Sequence, residues 1–178
     1  MRREIIPALW NYENILIAKR SKSKNVFVLG ATIGSLKDPI KELLEKNVWI
    51  DLDMMKGINP DYEGIKYIKS LGYYGVITVK SSIIGMAKNI NLKAIQRFFA
   101  IDSMSLKNGI QNLKRSKADY IEVLPGIVLY DIINEIKIEL DIPVIAAGLI
   151  QDRRTIEKLF DIGVSAVSTS KVSLWEVD

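Results

Sequence analysis

Short runs dominated by Val and Ile, apolar at nearly every position, recur eight times along the chain. They fall at residues 5–9, 25–29, 48–53, 75–79, 94–101, 119–124, 143–147 and 165–169. A strand with one wet face alternates apolar and polar residues. An unbroken apolar run instead marks a strand buried on both faces, as in a parallel sheet covered by helices. The segments between them, 12–19, 36–46, 62–71, 81–88, 103–116, 127–140 and 155–162, carry helical patterns. Asp38-Pro39 reads as an N-cap followed by proline at the first helical position, and Ser103 as a second N-cap. Gly72 and Gly163 stand where helices end just before a strand. Regular β–α alternation predicts an α/β fold, and eight units predict a compact TIM-type (β/α)8 barrel as one domain over residues 1–178. An open doubly wound sheet is the competing architecture. The 178 residues allow about 22 per unit, against roughly 250 in a usual barrel, so some helices must be short or missing. Only residues 170–178 follow the last strand, too few for a full-length helix.

Composition narrows the chemistry. The chain has no cysteine and no histidine. That excludes disulfides, thiolate zinc sites, a cysteine nucleophile, histidine-ligated metals and Ser–His triads. Any site must draw on Asp, Glu, Lys, Arg, Ser, Thr, Tyr or backbone N–H groups; no cofactor, resident metal or catalytic residue is assigned. Lys and Arg number 25 against 21 Asp and Glu, a net charge of +4 that permits an acidic partner without demanding one. The opening MRREIIPALW lacks a signal-peptide h-region, and no uninterrupted apolar run approaches about 18 residues. A cytoplasmic protein without a membrane span is therefore expected.

In parallel α/β folds ligands bind beyond the carboxyl ends of the strands. Two loops there end strands in small residues: Ala147-Gly148-Leu149-Ile150 after strand seven and Ser168-Thr169-Ser170-Lys171 after strand eight. Small residues let backbone N–H groups approach an anion, hydroxyls add donors, and helix N-termini add partial positive charge, so the pair reads as a phosphate cradle. The plainer reading is two tight turns. Asp51 and Asp53, two apart at the end of strand three, share a face if the strand continues through them. They would then hold a divalent cation or accept hydrogen bonds from polyol hydroxyls; otherwise one or both cap the next helix. Glu122, flanked by large apolar residues, needs a ligand or a basic partner, and Arg97 and Lys80 are the natural ones. A structural salt-bridge network would satisfy the same residues. Lys80 also invites a Schiff-base reading, which nearby carboxylates oppose.

Basic residues cluster at Lys19-Arg20-Ser21-Lys22-Ser23-Lys24 and at Lys114-Arg115-Ser116-Lys117, with Arg2-Arg3 before strand one. In a barrel all lie toward the N-terminal ends of the strands, opposite the ligand mouth. Such a face suits nucleic-acid phosphates. Helix C-termini also favour cations for electrostatic reasons, which accounts for the same pattern. The clusters contain no interleaved aromatics, so base stacking is not indicated.

The stretches Ala94-Ile95-Gln96-Arg97-Phe98-Phe99-Ala100-Ile101-Asp102, Asp119-Tyr120-Ile121-Glu122-Val123-Leu124-Pro125-Gly126, Ala147-Gly148-Leu149-Ile150-Gln151 and Ser168-Thr169-Ser170, with Leu174-Trp175, resemble the glycerol-3-phosphate-responsive antiterminator family. The resemblance runs from Ile6-Pro7-Ala8 to Trp175. It implies a barrel, binding of glycerol 3-phosphate, and antitermination through the leader mRNA of a glycerol uptake operon, without enzymatic activity. The ligand would meet Asp53, Lys80, Arg97, Glu122, Gly148, Leu149, Thr169, Ser170 and Lys171. RNA would meet Lys19, Arg20, Lys22, Lys24, Lys114, Arg115 and Lys117. Lys80 stands where the family pattern carries arginine, keeping the charge but not bidentate geometry. The rival class is a phosphosugar enzyme of isomerase, epimerase or aldolase type; a third reading is a metabolite-binding protein with no RNA target. The sequence leaves a homo-oligomer open.

Overall fold

The computed structural model describes Met1 and residues 3–177; Arg2 lies outside the described residues. Eight strands form the framework: β1 (Glu4–Leu9), β2 (Asn25–Val28), β3 (Asn47–Asp51), β4 (Gly75–Thr78), β5 (Lys93–Phe99), β6 (Tyr120–Leu124), β7 (Val144–Ala147) and β8 (Ala166–Thr169). Every neighbouring pair is parallel, and β8 pairs with β1 in the register Glu4↔Ala166 to Pro7↔Thr169. That pairing closes the barrel and excludes the open sheet.

Among the described residues seven helices cover the outside: α1 (Ile15–Arg20), α2 (Lys37–Glu42), α3 (Tyr62–Ser70), α4 (Ser81–Asn89), α5 (Ser103–Arg115), α6 (Leu129–Glu139) and α7 (Arg153–Asp161). The shortage of residues falls on α1 and α2, six residues each, and on the place of an eighth helix, taken by a single 3-10 turn at Val172–Leu174. Among the described residues no helix is long and apolar enough to cross a membrane.

Gly72 and Gly163 adopt φ of 96° and 89°, the left-handed conformation that ends a helix without a Cβ clash, as the sequence predicts. The N-caps differ. Asp38 lies inside the first turn of α2, because the preceding 3-10 turn Ile33–Ser35 runs into the helix through Leu36. In α5 the cap is Asp102, one residue earlier than Ser103. Its carboxylate accepts from the Ser105 amide at 2.7 Å, and the Ser105 hydroxyl oxygen accepts in turn from the Asp102 amide at 2.9 Å.

Two shells of packing result. Between strands and helices lie aliphatic clusters such as Val26, Ile50, Ile65 and Ile84 on one side and Ile121, Ile133, Ile156 and Val167 on the other. Inside the barrel lie Ile6, Phe27, Trp49, Ile77, Ile95 and Ile145. Trp49 is the largest side chain there, fully buried, with its indole N–H donating to Asn25 Oδ1 at 2.8 Å. Its neighbour across β3–β4 is Gly75, where a Cβ would overlap the indole ring. The lumen is thus plugged at mid-height, leaving a separate mouth at each end.

Candidate functional site

The upper mouth, at the carboxyl ends of the strands, holds a cavity of about 500 Å³. Its floor is charged. Arg97 in β5 pairs in register with Glu122 in β6 and donates from Nε to Glu122 Oε2 at 2.7 Å; its Nη1 donates to Asp51 Oδ2 at the end of β3. The three side chains are 10%, 1% and 0% exposed. Burial raises the pKa of both carboxyls, Arg97 opposing it without cancelling it. Burial works against the guanidinium charge too, but the two carboxylates outweigh it and hold Arg97 protonated. With all three ionised the triad carries one surplus negative charge.

Acceptor capacity remains there. Asp51 Oδ1 accepts from the Asp53 and Met54 amides at 3.0 and 3.2 Å and Oδ2 from Arg97, so both of its oxygens are engaged. Glu122 lines the cavity with Oε1 lacking a partner among the described residues. Glu122 is therefore the carboxylate available to a hydroxyl donor.

The opposite wall is built from donors. β7 ends at Ala147, and Gly148 and Leu149 follow with φ of 75° and 57°. Glycine takes that conformation freely, whereas leucine is strained in it. The amides of Gly148, Leu149 and Ser170 donate to no protein acceptor among the described residues. Such groups need a partner, from water or ligand. The Lys171 amide is turned onto Thr169 Oγ1 at 3.2 Å, and Lys171 Nζ reaches the Gln151 carbonyl at 2.6 Å, tying the two loops together. Exposed Trp10, Met54, Phe99 and Leu149 rim the mouth.

Arg97, Glu122, Gly148, Leu149, Thr169, Ser170 and Lys171 thus line one cavity. Asp53 and Lys80 do not. β3 stops at Asp51, so Asp53 lies past the strand, where its carboxylate accepts from Thr78 Oγ1 at 2.8 Å and the Val79 amide at 2.7 Å. Asp51 and Asp53 therefore do not share a face, and among the described residues no group of three acidic side chains forms a cation site. Lys80 is the exposed residue preceding α4, and Glu122's basic partner is Arg97 alone. Ser168, in the loop read as half of the cradle, also lines the cavity, whereas sequence reasoning missed the rim residues Trp10 and Phe99. Trp10 follows the last residue of β1 and Phe99 ends β5, so the strand-end rule itself would have found both.

At the lower mouth Lys19, Arg20, Lys22, Lys24, Lys114, Arg115 and Lys117 are all exposed. Lys114 pairs with Glu139, and Lys19 lies 4.0 Å from Glu42. Lys19, Arg20, Lys22, Lys24 and Lys46 line one hollow of about 390 Å³. Their clusters contain no aromatic residue, yet the fold brings Tyr74 and Tyr120 to the same mouth.

Three comparisons bear on this arrangement. The family model described as glycerol-3-phosphate responsive antiterminator matches residues 5–175. A glycerol uptake operon antiterminator-related protein from Thermotoga maritima is 34% identical, with a TM-score of 0.88 over 98% of this chain and 99% of that one. A glycerol uptake operon antiterminator regulatory protein from Listeria monocytogenes is 29% identical, with a TM-score of 0.91 over 98% and 96%. The uncharacterized protein YgcP of Escherichia coli is 26% identical over 174 residues, 96% of this chain and 91% of that protein.

Proposed function

This chain belongs to the glycerol-3-phosphate responsive antiterminator family, and from that premise we propose that it binds glycerol 3-phosphate in the upper mouth and acts on the leader mRNA of a glycerol uptake operon. The observation that carries the ligand is the polarity of the cavity. Free amides of Gly148, Leu149 and Ser170 stand on one wall and Glu122, with its open oxygen, on the floor. A phosphate about 4 Å from the triad's surplus charge would be disfavoured by roughly 4 kcal/mol per unit charge at an effective dielectric near 20. The anion therefore belongs on the loop amides, with Thr169 and Ser170 hydroxyls and the Lys171 ammonium beside it. The glycerol hydroxyls then donate to Glu122. Binding acts on RNA only insofar as the ligand prefers one of two protein states.

The test is a thermal-shift comparison of glycerol 3-phosphate, glycerol and inorganic phosphate. Ligand at about 100 times Kd adds roughly 2.7 kcal/mol of stability. Glycerol 3-phosphate should stabilise well beyond either fragment, and Gly148→Val should abolish the effect in a protein that still folds. Equal stabilisation of wild type and variant would sink the assignment.

A second reading is a phosphosugar enzyme, favoured by two buried carboxyls whose pKa values are raised inside a cavity, as acid–base catalysts require. Both are tied to Arg97, and Lys80 lies outside the cavity lining, so neither a free base nor a Schiff-base amine is built into the floor. Deuterium uptake into dihydroxyacetone phosphate, followed by NMR, would identify enzymatic proton transfer directly.

A further inference from the structure

The lower mouth has a cavity of its own, about 470 Å³. That is within the range of about 300–1,000 Å³ typical of ligand sites. Its residues come from the starts of separate strands: Glu4 on β1, Asn25 on β2, Asn47 on β3, Tyr74 just before β4, and Tyr120 on β6.

The two tyrosines set its character. Each packs edge-on against Trp49, with ring centroids 5.1 Å away for Tyr74 and 6.0 Å for Tyr120 and interplanar angles of 68° and 86°. They are thereby held in place by a buried anchor while remaining accessible; Tyr74 is 40% exposed and Tyr120 half-buried. Neither hydroxyl has a partner among the described residues. Glu4 does not dominate the cavity. Its Oε1 accepts from the Ser23 hydroxyl, the Lys24 and Asn25 amides and the Asn25 side chain, and its Oε2 from Asn25 again, between 2.7 and 3.1 Å. Asn25 is fully committed between Glu4 and Trp49. Asn47 is not: among the described residues its side chain makes only a long 3.4 Å donation to Asn25, leaving its side-chain carbonyl and one N–H for a visitor.

The cationic hollow shares Lys22 and Lys24 with this cavity, so the two adjoin. Lys46 gives the hollow a fixed wall by donating to the Ser21 and Ser23 carbonyls at 2.6 and 2.8 Å. A groove of five cations opens into a cavity of two aromatic rings and an open amide, whose two carboxylates are engaged, Glu4 by Ser23, Lys24 and Asn25 and Glu176 by Arg153; that is the chemistry of a single-stranded nucleic-acid site. Phosphates follow the charge, and an unstacked base enters beside the rings. A duplex cannot use it, because its bases are stacked and paired.

Building on the RNA reading above, we propose that the lower mouth takes one unpaired nucleobase of a single-stranded RNA between Tyr74, Tyr120 and Asn47, with the flanking phosphates in the hollow of Lys19, Arg20, Lys22, Lys24 and Lys46.

The experiment uses the full chain and fluorescein-labelled heptauridylate and heptaadenylate RNA, read by anisotropy from about 50 to 200 mM salt, with a seven-base-pair RNA duplex for comparison. Single strands should bind more tightly than the duplex. Tyr74→Ala should weaken binding about five- to one-hundred-fold, the range for losing one base–aromatic stack, with the salt slope unchanged. Tyr74→Phe should bind nearly as wild type, which separates lost stacking from a folding defect. Lys24→Glu should instead lower the slope of log affinity against log salt by about 0.7, the value for one phosphate contact. If the tyrosine variants bind like wild type while the lysine variant does not, or if the duplex binds as well as the single strands, the base site is overturned and the RNA reading stands. If wild type binds none of the probes at the lowest salt, both are overturned.

Discussion

Removing Arg97 should make the stability of this protein strongly dependent on pH. Arg97→Met keeps most of the side-chain volume and deletes the only cation facing Asp51 and Glu122, whose carboxyls are 0% and 1% exposed. Breaking a buried ion pair from one side costs about 3–5 kcal/mol, because the remaining charge is buried without compensation. Here two carboxyls lose their partner at once. Burial already raises both pKa values against the pull of Arg97, so deleting Arg97 raises them further. A carboxyl whose folded pKa exceeds its unfolded value takes up a proton on folding. Stability is then greatest below the unfolded carboxylate range, about pH 4, and falls as pH rises through the folded pKa. Each pH unit in that window changes stability by up to about 1.4 kcal/mol per titrating carboxyl. Going from pH 7 to pH 5 should thus return up to about 3 kcal/mol if one carboxyl titrates throughout. Urea unfolding of wild type and variant at pH 5, 6, 7 and 8, with m checked for constancy, measures this directly. Combining Arg97→Met with Asp51→Leu and Glu122→Leu should recover most of the loss at pH 7 and remove its pH dependence. An equal deficit at pH 5 and pH 7 in the single variant would refute the electrostatic account and leave lost packing as the cause.

Gly75→Ala should destabilise by about 1–3 kcal/mol, seen as a lower urea midpoint, since its Cβ would overlap the Trp49 ring and stand 2.8 Å from the Lys93 carbonyl. Asp119 is half-buried, which raises its pKa, but bonds from Lys88, Lys93 and the Ala94 amide prevail and hold it below the usual carboxylate range. Its stabilisation is therefore present above about pH 4 and lost as pH falls through the lowered value, so Asp119→Asn should flatten the acid limb of a stability–pH profile. Leu149→Gly should relieve a left-handed conformation costing on the order of 1 kcal/mol, partly offset by a more flexible unfolded chain, so the unliganded protein should melt slightly higher. Isothermal titration with glycerol 3-phosphate should then show weaker binding, because the leucine at the rim is lost.

The barrel was legible because strands buried on both faces are mostly apolar, and a buried apolar run recurs in every strand from β1 to β8. Arg97 and Glu122 were legible as partners for a related reason: an ionised residue inside such a run demands a counter-charge, and the register Arg97↔Glu122 supplies it. Whether Asp51 and Asp53 share a face stayed open in the sequence because apolar Leu52 extends the strand pattern beyond its last ladder residue, and periodicity does not register where a backbone turns. Lys80 failed for the same reason: two residues past Thr78, it lies where the chain has left the ladder for α4. The tyrosines of the lower mouth were invisible as a group. Tyr74 and Tyr120 are 46 residues apart and meet only because the barrel gathers the starts of β4 and β6 around one axis.

The 3-10 turn that stands in for an eighth helix makes the end of the chain a tie rod between the two mouths. Thr169 touches the upper cavity, and its carbonyl accepts from the Trp175 indole at 2.8 Å. Two residues on, Val177 bridges Ser21, and the Glu176 carbonyl receives the Lys22 amide at 2.6 Å. An ordinary helical return would place a long, self-contained cylinder between those points. Here eight residues run from the anion loop to the cationic loop, anchored at both ends and gripped by Trp175 in the middle. One short segment therefore joins the loop lining the upper cavity to the loop lining the cationic hollow.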